Sequence, residues 1–161
     1  MKSHSKIVLF VLLAFALLLS ACRANISRNG NGSLTVDTSM TQLELQDAIT
    51  AGIADPLVKN VTVTLQSGYI SVSAERQRVN DASKSDTLTF RLNLGVSNGD
   101  LTATISNVKL DNQTLEQVRI DNWNQTIANR ITRIAQKRPN SSLQSVNITT
   151  SQVSMTWLVN K

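Results

Sequence analysis

Side chains able to carry covalent or proton-transfer chemistry are scarce in this chain. It holds one cysteine, Cys22, and one histidine, His4, in 161 residues. Ser-His-Asp and Cys-His catalysis both need an imidazole base, and the common zinc sites need several Cys or His ligands. The carboxylates offer little more. Asp37, Glu44 and Asp47 lie close in sequence but read as a solvated face and helix-terminus charge. Asp81 and Asp86 share a polar stretch without the spacing of a calcium loop. Gly30-Asn31-Gly32 follows no strong strand and does not read as a phosphate-binding loop. We therefore expect no catalytic residue, no metal and no cofactor. The residue left to do chemistry is Cys22, whose thiol is a nucleophile.

The setting of Cys22 gives that thiol a role. Lys2 and Lys6 form a positive start, residues 7–19 form an apolar run, and Leu19-Ser20-Ala21 precedes the cysteine. This is the layout of a secretory signal peptide. The apolar run is short for a membrane span, which needs about 20 residues. Leu19-Ser20-Ala21-Cys22 resembles the bacterial lipobox. That resemblance implies that Cys22 becomes the mature N-terminus and carries lipid on its sulfur and amine, so its partner is a membrane. His4 then leaves with residues 1–21. Arg23 stands where an aspartate signals inner-membrane retention, so that signal is absent.

Loss of Lys2 and Lys6 lowers the net charge from +5 to +3. The basic balance is thus a weak sign of nucleic acid, and none is expected as a partner. One cysteine permits no internal disulfide, so stability rests on packing. Aromatics after the signal are few (Tyr69, Phe90, Trp123, Trp157), and the core must be built mainly from Val, Ile and Leu. Asn-x-Ser/Thr triplets recur, and an Asn- and Thr-rich wet surface explains them beside a lipobox.

The elements that position these residues follow from periodicity. Residues 22–32, rich in Asn and Gly, read as a lipidated, flexible tether. Residues 33–161 read as one α+β domain. A short strand at residues 33–38 leads to Thr41-Gln42-Leu43-Glu44, a capping box, with Leu45, Ile49 and Ile53 at helical spacing. Asp55-Pro56 ends that helix. Val61, Val63 and Leu65 alternate with polar residues, as do Ile70, Val72 and Ala74 after Ser67-Gly68. A two-residue turn pairs Leu65 with Ile70, Val63 with Val72 and Val61 with Ala74. Leu88, Phe90, Leu92, Leu94 and Val96 form a long strand before Asn98-Gly99. Its partner strand keeps an apolar face only if one extra residue near Ser106-Asn107 forms a bulge, pairing Phe90 with Val108 and Leu88 with Leu110. A long helix over residues 112–137 places Ile120, Trp123, Ile127, Ile131 and Ile134 within about 80° of arc. Val146, Ile148 and then Val153, Met155, Trp157 and Val159 give a last strand pair around Thr150-Ser151. The expected fold is a curved antiparallel sheet wrapped on one long helix, with a short N-terminal helix.

Along the long helix Arg119, Arg130, Arg133 and Lys137 form a basic stripe beside the apolar one. It reads either as long stems covering the core rim or as contacts to anionic lipid headgroups.

The order strand, capped helix, hairpin, long hairpin, long helix, strand pair is similar to that of the tubular lipid-binding (TULIP) superfamily. The residues that carry this resemblance run from Ser33-Leu34-Thr35-Val36-Asp37 through Thr41-Gln42-Leu43-Glu44-Leu45 to Ile49, and from Leu101-Thr102-Ala103-Thr104-Ile105 through Val108-Lys109-Leu110. It implies a curved sheet around a long helix, with an apolar groove for lipid. The groove would be lined by Val61, Val63, Ile70, Val72, Leu88, Phe90, Leu92, Leu94, Ile105, Val108, Ile127 and Ile131. The implied function is binding or shuttling a lipid or another apolar molecule at the cell envelope. The alternative is a non-catalytic structural or assembly lipoprotein that presents a sheet edge or polar face to another envelope protein.

Overall fold

The computed structural model describes residues 24–30, 32–111, 115–135 and 140–160. Cys22 and Lys137 lie outside the described residues. Among the described residues the fold is α+β, with eight strands in two antiparallel sheets and two helices. The elements are β1 (Ala24–Arg28), β2 (Leu34–Thr41), α1 (Gln42–Ile53), β3 (Val58–Gln66), β4 (Tyr69–Gln77), β5 (Ser85–Ser97), β6 (Asp100–Leu110), α2 (Gln117–Ile134), β7 (Ser141–Ile148) and β8 (Gln152–Val159). One sheet has the order β1-β2-β8-β7, and the other is the meander β3-β4-β5-β6. The strands thus divide between two sheets, where the sequence suggested a single curved one. The cause is β2, which pairs with β8 from Leu34↔Val159 to Thr41↔Gln152 and draws both chain ends into a sheet of their own.

The segment expected as a tether behaves differently. Ala24–Arg28 pairs with β2 from Ala24↔Thr38 to Arg28↔Leu34. Beyond it, Asn29 N–H donates to Ser33 O at 2.9 Å, and Gly32 N–H donates to Asn29 O at 3.0 Å. The Asn29 side-chain amide also donates to Ser33 Oγ and Thr35 Oγ1, each at 3.1 Å. Gly32 sits at φ 85°, a conformation glycine adopts at no steric cost.

The capping box forms as expected. Thr41 N–H donates to Glu44 Oε2 at 2.7 Å, and Glu44 N–H donates to Thr41 Oγ1 at 3.4 Å. α1 ends at Ala54, which adopts the left-handed conformation before Asp55-Pro56. The β3–β4 hairpin keeps Leu65↔Ile70 and Val63↔Val72. The expected Val61–Ala74 pair does not form. Asn60, at φ 53°, and Val61 instead bulge opposite Ala74, between the pairs Lys59↔Glu75 and Thr62↔Ser73. The β5–β6 hairpin carries the expected bulge, with Asn107 at φ 53° and Leu88↔Leu110 restored beyond it. A third bulge sits in β7 at Gln144, between Leu143↔Trp157 and Ser145↔Thr156.

Both sheets and both helices share one core. The meander contributes Val63, Leu65, Ile70, Val72, Leu88, Phe90 and Leu92 among others; the first sheet contributes Val36, Met40, Leu143, Val153, Met155 and Trp157. The buried core residues run from Val36 to Trp157. The outer edges of the meander are met by helix side chains. Val63 N–H on β3 donates to Gln46 Oε1 at 3.3 Å, and Ile105 N–H on β6 donates to Asn124 Oδ1 at 2.8 Å. The free edge of β7 receives both hairpin tips of the meander: Gly68 N–H donates to Ile148 O at 3.0 Å, and Leu143 N–H donates to Gly99 O at 2.7 Å. Such covering blunts edges that otherwise recruit other strands.

The helices touch most closely at Gly52. A Cβ there would stand 2.7 Å from Ile127 Cγ1 and 3.0 Å from Ile127 Cα. Thr126 Oγ1 also donates to Gly52 O at 2.6 Å. Gly52→Ala gains helix propensity of at most about 1 kcal/mol but must push a backbone away. We expect a net loss of about 1–2 kcal/mol from overpacking, read by urea denaturation; an increase in stability would contradict the close approach.

Candidate functional site

The end of α1 and the start of α2 form a cleft of about 510 Å³. Ile53, Ala54, Asp55 and Pro56 line one wall; Glu116, Val118, Arg119, Asn122 and Trp123 line the other. Ile53 and Trp123 also belong to the core, at 4% and 2% exposure, so the open cleft borders the interior at these two residues. Trp123 in turn meets Phe90 of β5, with ring centroids 6.2 Å apart. Val118 is exposed at the rim.

The charged wall is a three-part cluster. Asp55 has a buried carboxylate, 6% exposed. Arg119 Nη1 donates to its Oδ2 at 2.7 Å, and Arg76 Nε lies 3.7 Å from the same oxygen. Asp55 Oδ1 accepts from Leu57 N–H at 3.0 Å, closing the turn after α1. Helix stop and ion-pair centre are therefore one residue. At α2 the N-cap residue, Glu116, makes no side-chain capping bond. The cleft thus has an apolar floor, an ion-paired wall and a helix start at its rim.

A shallower depression of about 210 Å³ lies on the meander, lined by Tyr69, Ser71, Thr89, Phe90, Arg91, Asn107 and Lys109. The Arg91 guanidinium stacks on the Tyr69 ring, 4.0 Å from its centroid. Asp81, in the β4–β5 connection, lies outside both. Hydrogen bonds from the Ser83 hydroxyl, then Lys84, then the Ser83 N–H hold its carboxyl below the usual carboxylate range.

The twelve residues expected to line a groove converge on the core. Val63, Ile70, Val72, Leu88, Phe90, Leu92, Ile105, Ile127 and Ile131 are buried, none more than 7% exposed. Val61, Leu94 and Val108 are half-buried against them. The basic stripe is split. Arg119 is tied to Asp55, Arg130 and Arg133 are exposed in the C-terminal half of α2, and Lys137 is outside the described residues. Sequence reasoning missed the roles of Asp55 and Arg76. Asp55 carried only a helix-stop signal, and its partner Arg119 is 64 residues away.

Among the described residues, no three His, Cys, Asp or Glu side chains group to hold a metal ion, and no helix is long and apolar enough to cross a membrane. No protein-family model, curated protein or solved structure matches the chain.

Proposed function

We propose that this chain is a bacterial lipoprotein, anchored through lipid on Cys22 outside the cytoplasm, that binds or shuttles a lipid or other apolar ligand at the cell envelope. The anchor rests on the signal-like N-terminus ending in Leu19-Ser20-Ala21-Cys22. The observation that supports the ligand is the cleft between α1 and α2. Its floor of Ile53 and Trp123 borders the core shared by the meander and α2. Its volume lies within the range of small-molecule sites. An acyl chain meets apolar side chains there, while a polar end meets Arg119, Asp55 and the start of α2. The tubular lipid-binding resemblance, with a sheet curved around the long helix, belongs to this same reading.

Protein recovered from a bacterial host should carry an acyl ligand in native mass spectrometry, and the purified chain should take up a fluorescent fatty acid. Cys22→Ser should lose radioactive palmitate that the unaltered chain incorporates; equal label in both would sink the anchor.

A second reading has its own support. Nine of the twelve expected lining residues are at most 7% exposed, which suits a non-catalytic structural or assembly lipoprotein with a closed core. Neither acyl ligand nor fatty-acid uptake would favour this reading over the first.

A further inference from the structure

The register of the first sheet fixes which end of the molecule the Cys22 lipid reaches. β1 begins at Ala24, two residues after Cys22, so the chain between them spans at most about 7 Å. Ala24 lies opposite Thr38, and β1 runs antiparallel to β2. Ala24 is therefore the end of β1 nearer Thr41, which lies about 10 Å further along β2. Thr41 pairs with Gln152 at the start of β8, and Val153 pairs with Ile148 at the end of β7. The Ser67–Gly68 turn joins this end through Gly68 N–H and Ile148 O. One end of the molecule thus gathers the anchor side of β1, the first turn of α1 and two hairpin turns.

That end is suited to a lipid surface. Its turn and cap positions are Thr41, Gln42, Ser67, Gly68, Thr149, Thr150, Ser151 and Gln152, none of them charged. Glu44, in the same turn of α1, accepts from Thr41 N–H and Thr41 Oγ1 and so is engaged in the cap. Leu43 projects beside them at 68% exposure. The opposite end carries Arg28, Asn140 and Asn160, with Arg28↔Leu34, Leu34↔Val159 and Ser141↔Val159 in register and Asn160 N–H donating to Asn140 O.

We infer that the end bearing Leu43, the Thr149–Ser151 turn and the Ser67–Gly68 turn rests against the bilayer holding the Cys22 lipid, with Leu43 at the headgroup–acyl boundary. The domain stands in one orientation rather than swinging on a tether.

This inference rests on the lipoprotein reading of Cys22, and the test separates the two. The full chain is recovered from bacterial membranes, and the mass of its N-terminal peptide shows whether Cys22 carries lipid. The orientation is read by amide hydrogen exchange on vesicles of phosphatidylethanolamine and phosphatidylglycerol. A parallel sample starts at Cys22 and is coupled through its thiol to a maleimide lipid. It retains every buried core residue, since these begin at Val36, and it reports the orientation even when the cell leaves Cys22 bare. Compared with the free chain, exchange should slow several-fold at residues 42–45, 67–69 and 149–152, and stay unchanged at 97–100 and 140–142. Leu43→Asp should return the first group toward its rate in solution, without altering the fold, because the side chain is exposed. Slowing at the Arg28–Asn140 end, equal slowing at both ends, or none at all overturns the inference.

Discussion

Trp123→Ala is expected to remove about 3–5 kcal/mol of stability, the range for truncating a large buried aromatic. Trp123 is 2% exposed, packs against Phe90, and forms the floor of the cleft. Its loss opens a void between α2 and β5 that neither element can close without breaking its own hydrogen bonds. At roughly 3–4 °C per kcal/mol for a domain of this size, the midpoint of thermal unfolding should fall by roughly 10–18 °C. Trp157 remains as a built-in reporter, since its indole N–H donates to buried Thr38 Oγ1 at 3.2 Å. Trp123→Phe fills most of the void and should recover more than half of the loss. It therefore tests ligand uptake in a folded protein. Under the lipid reading it changes fatty-acid affinity; under the assembly reading it leaves binding of the envelope partner intact. A shift of only a few degrees for Trp123→Ala would show that the α2–β5 contact is looser than described.

The second large effect is expected at Asp55. Asp55→Asn keeps an oxygen for Leu57 N–H but removes the carboxylate that Arg76 and Arg119 share. Two guanidiniums then face each other across a neutral amide, one of them only 11% exposed. Breaking a buried pair from one side costs about 3–5 kcal/mol. Arg119 is 38% exposed, and water screens part of that, so about 2–3 kcal/mol is expected here. Arg119→Gln alone should cost less, about 1 kcal/mol, because Asp55 keeps Arg76 nearby. Combining the two changes should cost less than their sum, a coupling measurable by a double-mutant cycle in urea. Strict additivity would mean that the pair contributes nothing as a pair.

Much of this fold is legible in the sequence where local chemistry decides it. The capping box at Thr41–Glu44, the Ser67-Gly68 and Asn98-Gly99 turns and the bulge at Asn107 all depend on residues close in the chain. The bulge shows how fine that reading can be. Ile105 and Val108 are both apolar yet three apart, and a strand keeps both on its inner side only by inserting a residue. The same spacing separates Val58 from Val61 and Leu143 from Val146, and bulges stand at both places. At Asn60 and Asn107 the extra residue includes an asparagine at φ 53°, a conformation asparagine tolerates better than most residues. The signal at Val58–Val61 is therefore present and general, and the regular alternation of Val61, Val63 and Leu65 follows directly on it.

What the sequence did not reveal depends on distant partners. Asn29-Gly30-Asn31-Gly32 fits either a loose linker or a hairpin turn. Only the pairing of Ala24–Arg28 with β2 decides for the turn. The division into two sheets follows from β2 meeting β8, which no local pattern encodes. The twelve apolar residues expected to line a groove are an inward set packed together in and against the core, and none of them lines the cleft. Whether such a set encloses a ligand or only itself is a matter of the distance between layers, which periodicity does not carry. The cleft depends on Asp55 meeting Arg76 and Arg119 across three elements, and each looks like an ordinary surface charge when read singly.

The pairing of β2 with β8 also sets an order of events for the newly made chain. Leu34 must wait for Val159, so the first sheet cannot close until β8 has been made. The meander has no such delay, because β3 to β6 are joined by successive hairpins and pair in sequence order. Contacts that close long loops form slowly compared with local ones. The meander with its helices is thus able to assemble first and offer a template. During that interval β2, which carries Val36 and Met40, has β1 on one side only, and its β8 edge is open to aggregation. A chain that emerges N-terminus first holds that edge open until β8 arrives and ends the hazard.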